Sequence, residues 1–161
     1  MKSAVFLGLG IALAVVVADQ LSKYYILHEF LGQAAYVSVC PYFNIVRAWN
    51  TGVSFSMLND YGHLGVWILS GLAIIIILML FHWLRNETNR LTQAALGLIM
   101  GGAAGNVIDR IMSGAVFDFL DFHIEDWHWP AFNLADSCIC IGAAVVIIQA
   151  AQFKLKREGK K

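Results

Sequence analysis

The sequence predicts an all-α membrane protein of four transmembrane helices, with a small strand-rich element outside the bilayer. Of its 161 residues, 59% are hydrophobic and only 14% are charged, whereas a soluble domain averages about 25% charged residues. Several apolar segments approach the roughly 20 residues that one bilayer span requires. The net charge is zero, which gives no reason to expect a nucleic-acid partner. We therefore expect one integral-membrane domain over residues 1–161.

Four segments are long and apolar enough to span. We predict helices over about residues 3–28, 64–83, 91–111 and 135–153. For the first segment the alternative is a cleaved signal peptide, processed near the sequence Ala12-Leu13-Ala14. Because apolar character resumes after Asp19 and Lys23, we interpret the segment as a retained helix.

Residues 29–62 differ in pattern from these helices. Residues 36–39 and 43–55 mix β-branched, aromatic and polar side chains without a helical period, and Pro41 interrupts them. This favours strands outside the bilayer. Residues 55–61 are typical of a short amphipathic helix lying in the membrane interface.

Basic residues predict the orientation of the helices. Cytoplasmic loops carry an excess of Lys and Arg. If both termini are cytoplasmic, eight of the eleven basic residues lie on the cytoplasmic side. These eight are Lys2, Arg85, Arg90, Lys154, Lys156, Arg157, Lys160 and Lys161. The prediction is four spans with both termini cytoplasmic.

Polar residues of distant helices converge at one depth. At about 1.5 Å per residue, Asp19 lies roughly 24 Å along the first helix and Asp109 roughly 27 Å along the third, while Asp136 opens the fourth from the outer side. Ionisable groups inside a membrane are costly and usually mark function. The second helix has none between residues 64 and 81, so we expect it to be a scaffold.

Asp19 and Lys23 lie four residues apart, on one helix face, where they can pair. Two interpretations stay open: a structural ion pair with Lys23 snorkelling outward, or direct contact with a substrate. Asn106 and Arg110 share a face by the same spacing, with Asp109 beside it, and we expect Asn106 and Arg110 to orient other groups.

The third helix also carries small residues four apart at Gly97, Gly101 and Gly105. Small residues at this spacing allow two membrane helices to approach closely. These glycines are therefore expected to serve packing.

Asp118 and Asp136 flank a short aromatic loop and form the predicted catalytic pair. Taken singly, Asp136 could be a first-turn acid favoured by the helix dipole, with Asn133 near the cap, and Asp118 a solvated loop carboxylate. Two close carboxylates, however, share a proton. One can then take a proton from water while the other donates to a carbonyl oxygen, as in aspartic proteases.

The loop also contains potential metal ligands, whose spacing matches no zinc or iron signature; they are His123, Glu125, Asp126 and His128. Trp127 and Trp129 are more typical of an interfacial aromatic belt. We predict no metal.

Five sequence blocks together resemble the motif series of bacterial lipoprotein signal peptidase (signal peptidase II). They are DQLSK at 19–23, NTGVSF at 50–55, GGAAGNVIDR at 101–110, VFDF at 116–119 and FNLAD at 132–136. The blocks occur in the family's order and cover nearly the whole chain. Ser54 departs from the alanine common in the family.

The resemblance implies an intramembrane aspartic endopeptidase with four helices and a small extracytoplasmic β-rich cradle. It implies removal of signal peptides from prolipoproteins, just before a cysteine that carries diacylglycerol, without metal or organic cofactor. Asp118 and Asp136 match the catalytic pair. The other matching motif residues are Asp19, Lys23, Asn50, Gly52, Asn106, Arg110 and Asn133.

We further expect a monomer in the bacterial inner membrane, surrounded by lipid, with its active site near the extracytoplasmic face. Residues 50–61 are expected to close over the substrate as a lid. The alternative function is a small transporter or channel subunit, which predicts polar residues spread through the bilayer depth. A presenilin-like protease would require a G-x-G-D motif, which the sequence lacks, and a purely structural protein would leave the motif series unexplained.

Overall fold

The computed structural model describes residues 2–52 and 63–158. It contains four long helices: α1 (Lys2–Tyr25), α2 (His63–Asn86), α3 (Arg90–Ser113) and α4 (Leu134–Glu158). A π-helical turn, Ile26–Phe30, continues α1. The strands are β1 (Tyr36–Cys40), β2 (Phe43–Asn50), β3 (Val116–Ile124) and β4 (Trp127–His128).

All four helices are long and apolar enough to cross a membrane, with candidate spans Val5–Phe30, Leu64–Asn86, Arg90–Ser113 and Leu134–Gln152. Among the described residues, the prediction of four helices long and apolar enough to span is therefore confirmed, with end points that differ by a few residues. The predicted interfacial helix at residues 55–61 lies outside the described residues.

α3 is the central helix, packed along both α1 and α4. A side chain at Gly97 would collide with Gly8 of α1, and a Cβ at Gly101 would lie 2.6 Å from the carbonyl oxygen of Ala12. A Cβ at Gly102 would likewise collide with the carbonyl oxygen of Ala135 in α4. The predicted role of Gly97 and Gly101 in close packing is confirmed.

The ends of α3 are defined by local chemistry. Asn89 caps its first turn, where the side-chain oxygen accepts hydrogen bonds from the backbone N–H of Leu91 at 2.8 Å and of Thr92 at 3.2 Å. At the other end Gly114 adopts the left-handed conformation (φ +72°) and donates its N–H to the Arg110 carbonyl at 3.0 Å. The chain thereby turns directly from α3 into β3.

The strands form one antiparallel sheet in the order β1-β2-β3-β4. In the β2–β3 register, Ala48 lies opposite Asp118 and Asn50 opposite Val116. The predicted strand region within residues 29–62 is confirmed for β1 and β2, but the aromatic loop predicted between Asp118 and Asp136 is wrong in its first part, residues 118–124. That segment is strand β3, because the unpaired edge of β2 requires a partner from a distant part of the chain.

A small apolar core supports the sheet. It consists of Leu31, Ile45, Phe117 and Phe119, all buried. Residues 26 and 27 of the π-helical turn pack against this core, which fixes the sheet to the end of α1. Asp118 lies in β3 between Phe117 and Phe119 and is held beside the start of α4.

Candidate active site

Asp118 and Asp136 are brought together by one residue, Asn133. The Asn133 side-chain amide donates to Asp118 Oδ1 at 2.7 Å, and its backbone N–H donates to Asp136 Oδ2 at 3.1 Å. Asp118 is 2% exposed, so the alternative of a solvated loop carboxylate is wrong. Asp136 is half-buried in the first turn of α4.

Two further asparagines complete the contacts of the pair. Asn50 Nδ2 donates to Asp118 Oδ2 at 3.0 Å, and Asn106 Nδ2 donates to Asp136 Oδ1 at 2.7 Å. Each of the four carboxylate oxygens therefore accepts one N–H. These contacts fix the orientation of both carboxyl groups without neutralising them by a direct ion pair.

Asn133 is also the cap of α4, as the sequence suggested. Its side-chain oxygen accepts the backbone N–H of Asp136 at 3.0 Å, reciprocating the bond from its own N–H to the Asp136 carboxylate, in the manner of a capping box. Asn133 is fully buried. The first-turn role of Asp136 and its place in the pair are therefore compatible, because the capping bond uses Oδ2 and leaves Oδ1 to Asn106.

The environment of Asp118 favours its protonated form. Burial raises the pKa of its carboxyl group, the hydrogen bond from Asn50 lowers it, and the charge of Asp136 raises it again, to a net value of about 6. The Asn133 hydrogen bond and the positive charge of Lys23 also lower the pKa of Asp118, with smaller effects than the first three causes. A carboxyl group that keeps its proton near neutral pH can serve as a proton donor.

Lys23 lies at the centre of a buried ionic cluster beneath the pair. Its ammonium group is 2.8 Å from Asp19 Oδ2 and 2.7 Å from Asp109 Oδ2, and donates to Asn106 Oδ1 at 3.2 Å. The predicted Asp19–Lys23 pair is confirmed. The outward snorkelling of Lys23 is wrong, since Lys23 is 5% exposed and a second carboxylate, on α3, draws it inward.

Two residues of this cluster were absent from the predicted site, Gln20 and Asp109. Gln20 Nε2 donates to Asp109 Oδ1 at 2.9 Å and contacts Asp19 Oδ2 at 3.2 Å. The sequence places Asp109 at the depth of the site and beside the face of Asn106 and Arg110, without a role of its own. Its spacing of three residues from Asn106, on one helix face, was the signal that could have identified it.

Gly52 and Arg110 lie at the edge of the site. Gly52 has a positive φ of +89° and donates its N–H to Asn50 Oδ1 at 2.8 Å, which orients the amide that contacts Asp118. A Cβ at Gly52 would collide with Leu69 and lie 4.0 Å from Arg110 Nη2. Arg110 Nη1 contacts the Asn106 carbonyl at 3.5 Å. Of the expected lid, only residues 50–52 are among the described residues.

A separate polar cluster lies further along β3, around Asp121. Asp121 accepts hydrogen bonds from Asn44 at 3.0 Å and His128 at 2.8 Å, and the His123 and His128 rings are stacked. Burial raises the pKa of Asp121, but the hydrogen bonds from His128 and Asn44 outweigh it and lower the pKa below its usual value. Within residues 2–52 and 63–158, no group of three or more His, Cys, Asp or Glu side chains has metal-site geometry.

Comparisons with known proteins identify the family of the chain. Residues 11–152 match the family model described as signal peptidase (SPase) II. The lipoprotein signal peptidase of Paraburkholderia phymatum is 44% identical over 140 residues, covering 86% of this chain and 84% of that protein. That of Vibrio cholerae O395 is 42% identical over 149 residues, covering 91% and 87%. A bacterial membrane enzyme solved by the in meso method at 2.3 Å superposes with a TM-score of 0.76 at 32% identity, over 90% of this chain and 87% of that one.

Proposed function

The chain belongs to the signal peptidase II family and is a lipoprotein signal peptidase, an aspartic endopeptidase, in which we propose that Asp118 and Asp136 are the catalytic pair. The substrate is a prolipoprotein carrying diacylglycerol, cut before the lipidated cysteine. The observation that carries this assignment is the shared asparagine, Asn133, which holds both carboxyl groups by direct hydrogen bonds.

The pair performs hydrolysis with one shared proton. Asp136 in its ionised form takes a proton from a water molecule, whose oxygen attacks the scissile carbonyl carbon. Asp118, whose raised pKa of about 6 favours the protonated form more than in an ordinary aspartate, donates its proton to the carbonyl oxygen. The tetrahedral diol then collapses: the C–N bond breaks, the proton on Asp136 passes to the leaving nitrogen, and one diol hydroxyl returns its proton to Asp118 as the carbonyl group re-forms. The titration belongs to the pair, since the two groups interact.

The asparagines hold this pair ready before the substrate binds. Asn50 and Asn133 donate to the two oxygens of Asp118, while Asn106 and the Asn133 backbone donate to those of Asp136. Because these donors belong to β2, α3 and the start of α4, the geometry requires the assembled fold. Gly52 and Arg110 lie at the edge of the site. We assign to Gly52 the orientation of the Asn50 amide, and to Arg110 the orientation of the backbone at Asn106.

The polar residues of α1, α3 and α4 gather at one end of the helices, which favours lateral entry of a lipid-anchored substrate from the bilayer. The distribution of basic residues supports cytoplasmic termini and a site near the extracytoplasmic face of the inner membrane. We propose that the enzyme acts as a monomer surrounded by lipid, with residues 50–61 as its lid. A transporter or channel function has no support from the comparisons.

The decisive experiment is a cleavage assay on a diacylglyceryl-modified prolipoprotein in liposomes. We expect Asp118→Asn and Asp136→Asn each to lose activity by about 10³-fold or more, with or without a chelator. Asp126→Asn, at an exposed acid between β3 and β4, is the matched control and should remain active. Each variant is checked for native thermal unfolding.

Three other results would contradict the proposal. Near-native cleavage by either catalytic variant would return that aspartate to a structural role. Loss of native activity with a chelator would indicate a metal. Failure of well-folded native protein to cleave would revive the transporter alternative.

A further inference from the structure

Two buried carboxylates each hold the backbone next to one member of the catalytic pair. Asp109 Oδ2 accepts the backbone N–H of Phe117 at 3.2 Å, and Asp19 Oδ1 accepts the backbone N–H of Ala135 at 3.0 Å. Phe117 and Ala135 are the residues directly before the two proposed catalytic aspartates. The bond from Asp109 therefore anchors β3, and the bond from Asp19 anchors the start of α4.

These two carboxylates are joined to each other. The Lys23 ammonium lies within 2.8 Å of Asp19 and 2.7 Å of Asp109, and the Gln20 amide donates to both at 3.2 and 2.9 Å. Asp19 is fully buried, and Lys23 and Asp109 are 5% and 9% exposed. Burying an ion pair is offset only by well-defined geometry and further hydrogen bonds to the remaining oxygens, and the cluster supplies both where it links α1 to α3.

The fold leaves room for this link at one place. A Cβ at Gly105 would lie 2.6 Å from Asp19 Oδ2 and 3.6 Å from the Ala135 Cβ. Only glycine at this point of α3 lets the Asp19 carboxylate pass between α3 and α4 and reach the Ala135 N–H. The third glycine of the α3 stripe therefore serves the site as well as helix packing.

We infer that Asp19 and Asp109, joined by Lys23 and Gln20, are positioning residues that set the separation of the two catalytic carboxylates. The inference rests on the proposed function. Asp118 belongs to a strand and Asp136 to a helix, so their spacing depends on a link between those elements. Because misplacement by about 1 Å can cost about 10²-fold in rate, a defined spacing is a requirement of the reaction.

Asparagine substitutions test this link with little change in shape. Both oxygens of Asp109 are acceptors: Oδ1 accepts from Gln20, and Oδ2 from Phe117 and Lys23. Both oxygens of Asp19 are likewise acceptors, from Ala135 on one side and from Lys23 and Gln20 on the other. An asparagine at position 19 or 109 would therefore have to place its NH₂ group opposite another donor, so one hydrogen bond of the link would be lost.

The experiment measures kcat, KM and the pH profile of prolipoprotein cleavage for Asp19→Asn and Asp109→Asn. We expect kcat to fall about 10²-fold in each, with little change in KM, because neither residue is placed to contact the peptide. We also expect the pH limits of kcat to move, since the interaction of two carboxylates depends on their separation.

The matched control is Asp121→Asn. Asp121 is a buried carboxylate of β3, 6% exposed, three residues after Asp118, and its partners Asn44 and His128 lie outside the cluster. We expect its kcat and pH profile to stay native. If Asp19→Asn and Asp109→Asn fail to fold, Gln20→Met replaces them, because it removes the amide donors and keeps the charges of the two aspartates and the lysine. For Gln20→Met we expect a smaller loss of kcat and the same movement of the pH profile.

The outcomes separate this inference from the catalytic assignment. Native kcat and an unmoved pH profile in the folded variants, with Asp118→Asn inactive, would overturn the inference alone. So would a raised KM at native kcat, or an equal effect of Asp121→Asn. Activity of Asp118→Asn would instead overturn the proposed function.

Discussion

At the scale of single residues, the opposite environments of two aspartates in one strand are informative. Asp118 and Asp121 are both buried in β3, yet their pKa values move in opposite directions. Burial and the neighbouring Asp136 hold the pKa of Asp118 at about 6 against the hydrogen bonds of Asn50 and Asn133. At Asp121 the burial effect is outweighed by hydrogen bonds from His128 and Asn44.

This difference predicts opposite effects of pH on stability. The raised pKa of Asp118 contributes stability that is complete below its usual pKa of about 4 and is lost as pH rises through about 6. Asp118→Asn lacks that titration. Between about pH 4 and pH 7 we therefore expect native protein to lose up to about 3 kcal/mol of unfolding free energy relative to this variant. Thermal unfolding in detergent across this range measures it.

Asp121→Asn provides the control of opposite sign. A lowered pKa contributes stability that is present above the usual pKa and is lost as pH falls. Relative to native protein, Asp121→Asn should be less stable at neutral pH, with the difference shrinking in acid. Parallel unfolding curves for native protein and Asp118→Asn would contradict the raised pKa of Asp118.

At the scale of elements, close approach between α3 and its neighbours places the site residues. Backbone-to-backbone packing at Gly97 and Gly101 holds α1 against α3, so that Lys23 of α1 can bridge to Asp109 of α3. Lipid supplies no hydrophobic drive between helices, so close packing and interhelical hydrogen bonds must hold them together.

Two glycine substitutions test this packing. A Cβ at Gly101 would lie 2.6 Å from the Ala12 carbonyl oxygen and 2.8 Å from the Val15 Cβ, whereas a Cβ at Gly10 would meet nothing within 4 Å. We expect Gly101→Ala to lose about 1–3 kcal/mol of stability through overpacking. Gly10→Ala should gain about 0.5–1 kcal/mol, because alanine loses less chain entropy in a helix.

Thermal unfolding in detergent, with cleavage activity measured in parallel, provides the readout for both variants. We expect activity to fall with stability in Gly101→Ala, because α1 must shift away from α3. Equal unfolding temperatures for the two variants would show that the α1–α3 approach is looser than the structure has it.

At the scale of the whole molecule, the orientation of the chain in its membrane determines which side the site faces. The sheet and the polar ends of α1, α3 and α4 share one end of the molecule, and the α2–α3 turn at residues 87–89 lies at the other. The excess of basic residues near that turn and at both chain ends predicts a cytoplasmic location for them.

Cysteine labelling in intact cells tests the orientation. Cys40 of β1 is exposed, so a membrane-impermeant maleimide that reaches the periplasm should label it in a variant with Cys138→Ala and Cys140→Ala. With Cys40→Ser and Glu87→Cys instead, labelling should occur only after the inner membrane is permeabilised. The reverse pattern would invert the topology and move the site to the cytoplasmic face.

The amino-acid sequence by itself determined the four spans, the shared depth of Asp19, Asp109 and Asp136, and the two aspartates proposed as catalytic. Hydropathy over about 20 residues is a local property of the sequence. In lipid such a segment must form a helix, because only its own backbone can satisfy its hydrogen bonds. The helix rise then converts residue number into depth. These conclusions need no knowledge of which segments are neighbours.

Only the tertiary structure decided that the segment around Asp118 is a strand, since its partner Asn50 lies 68 residues earlier in the chain. It also decided that Lys23 turns inward, and that Gln20 and Asp109 belong to the site. Each of these outcomes depends on a contact between elements far apart in sequence: strand pairing in one case, a second carboxylate facing Lys23 in the others. Periodicity and spacing within one segment contain no information about such partners.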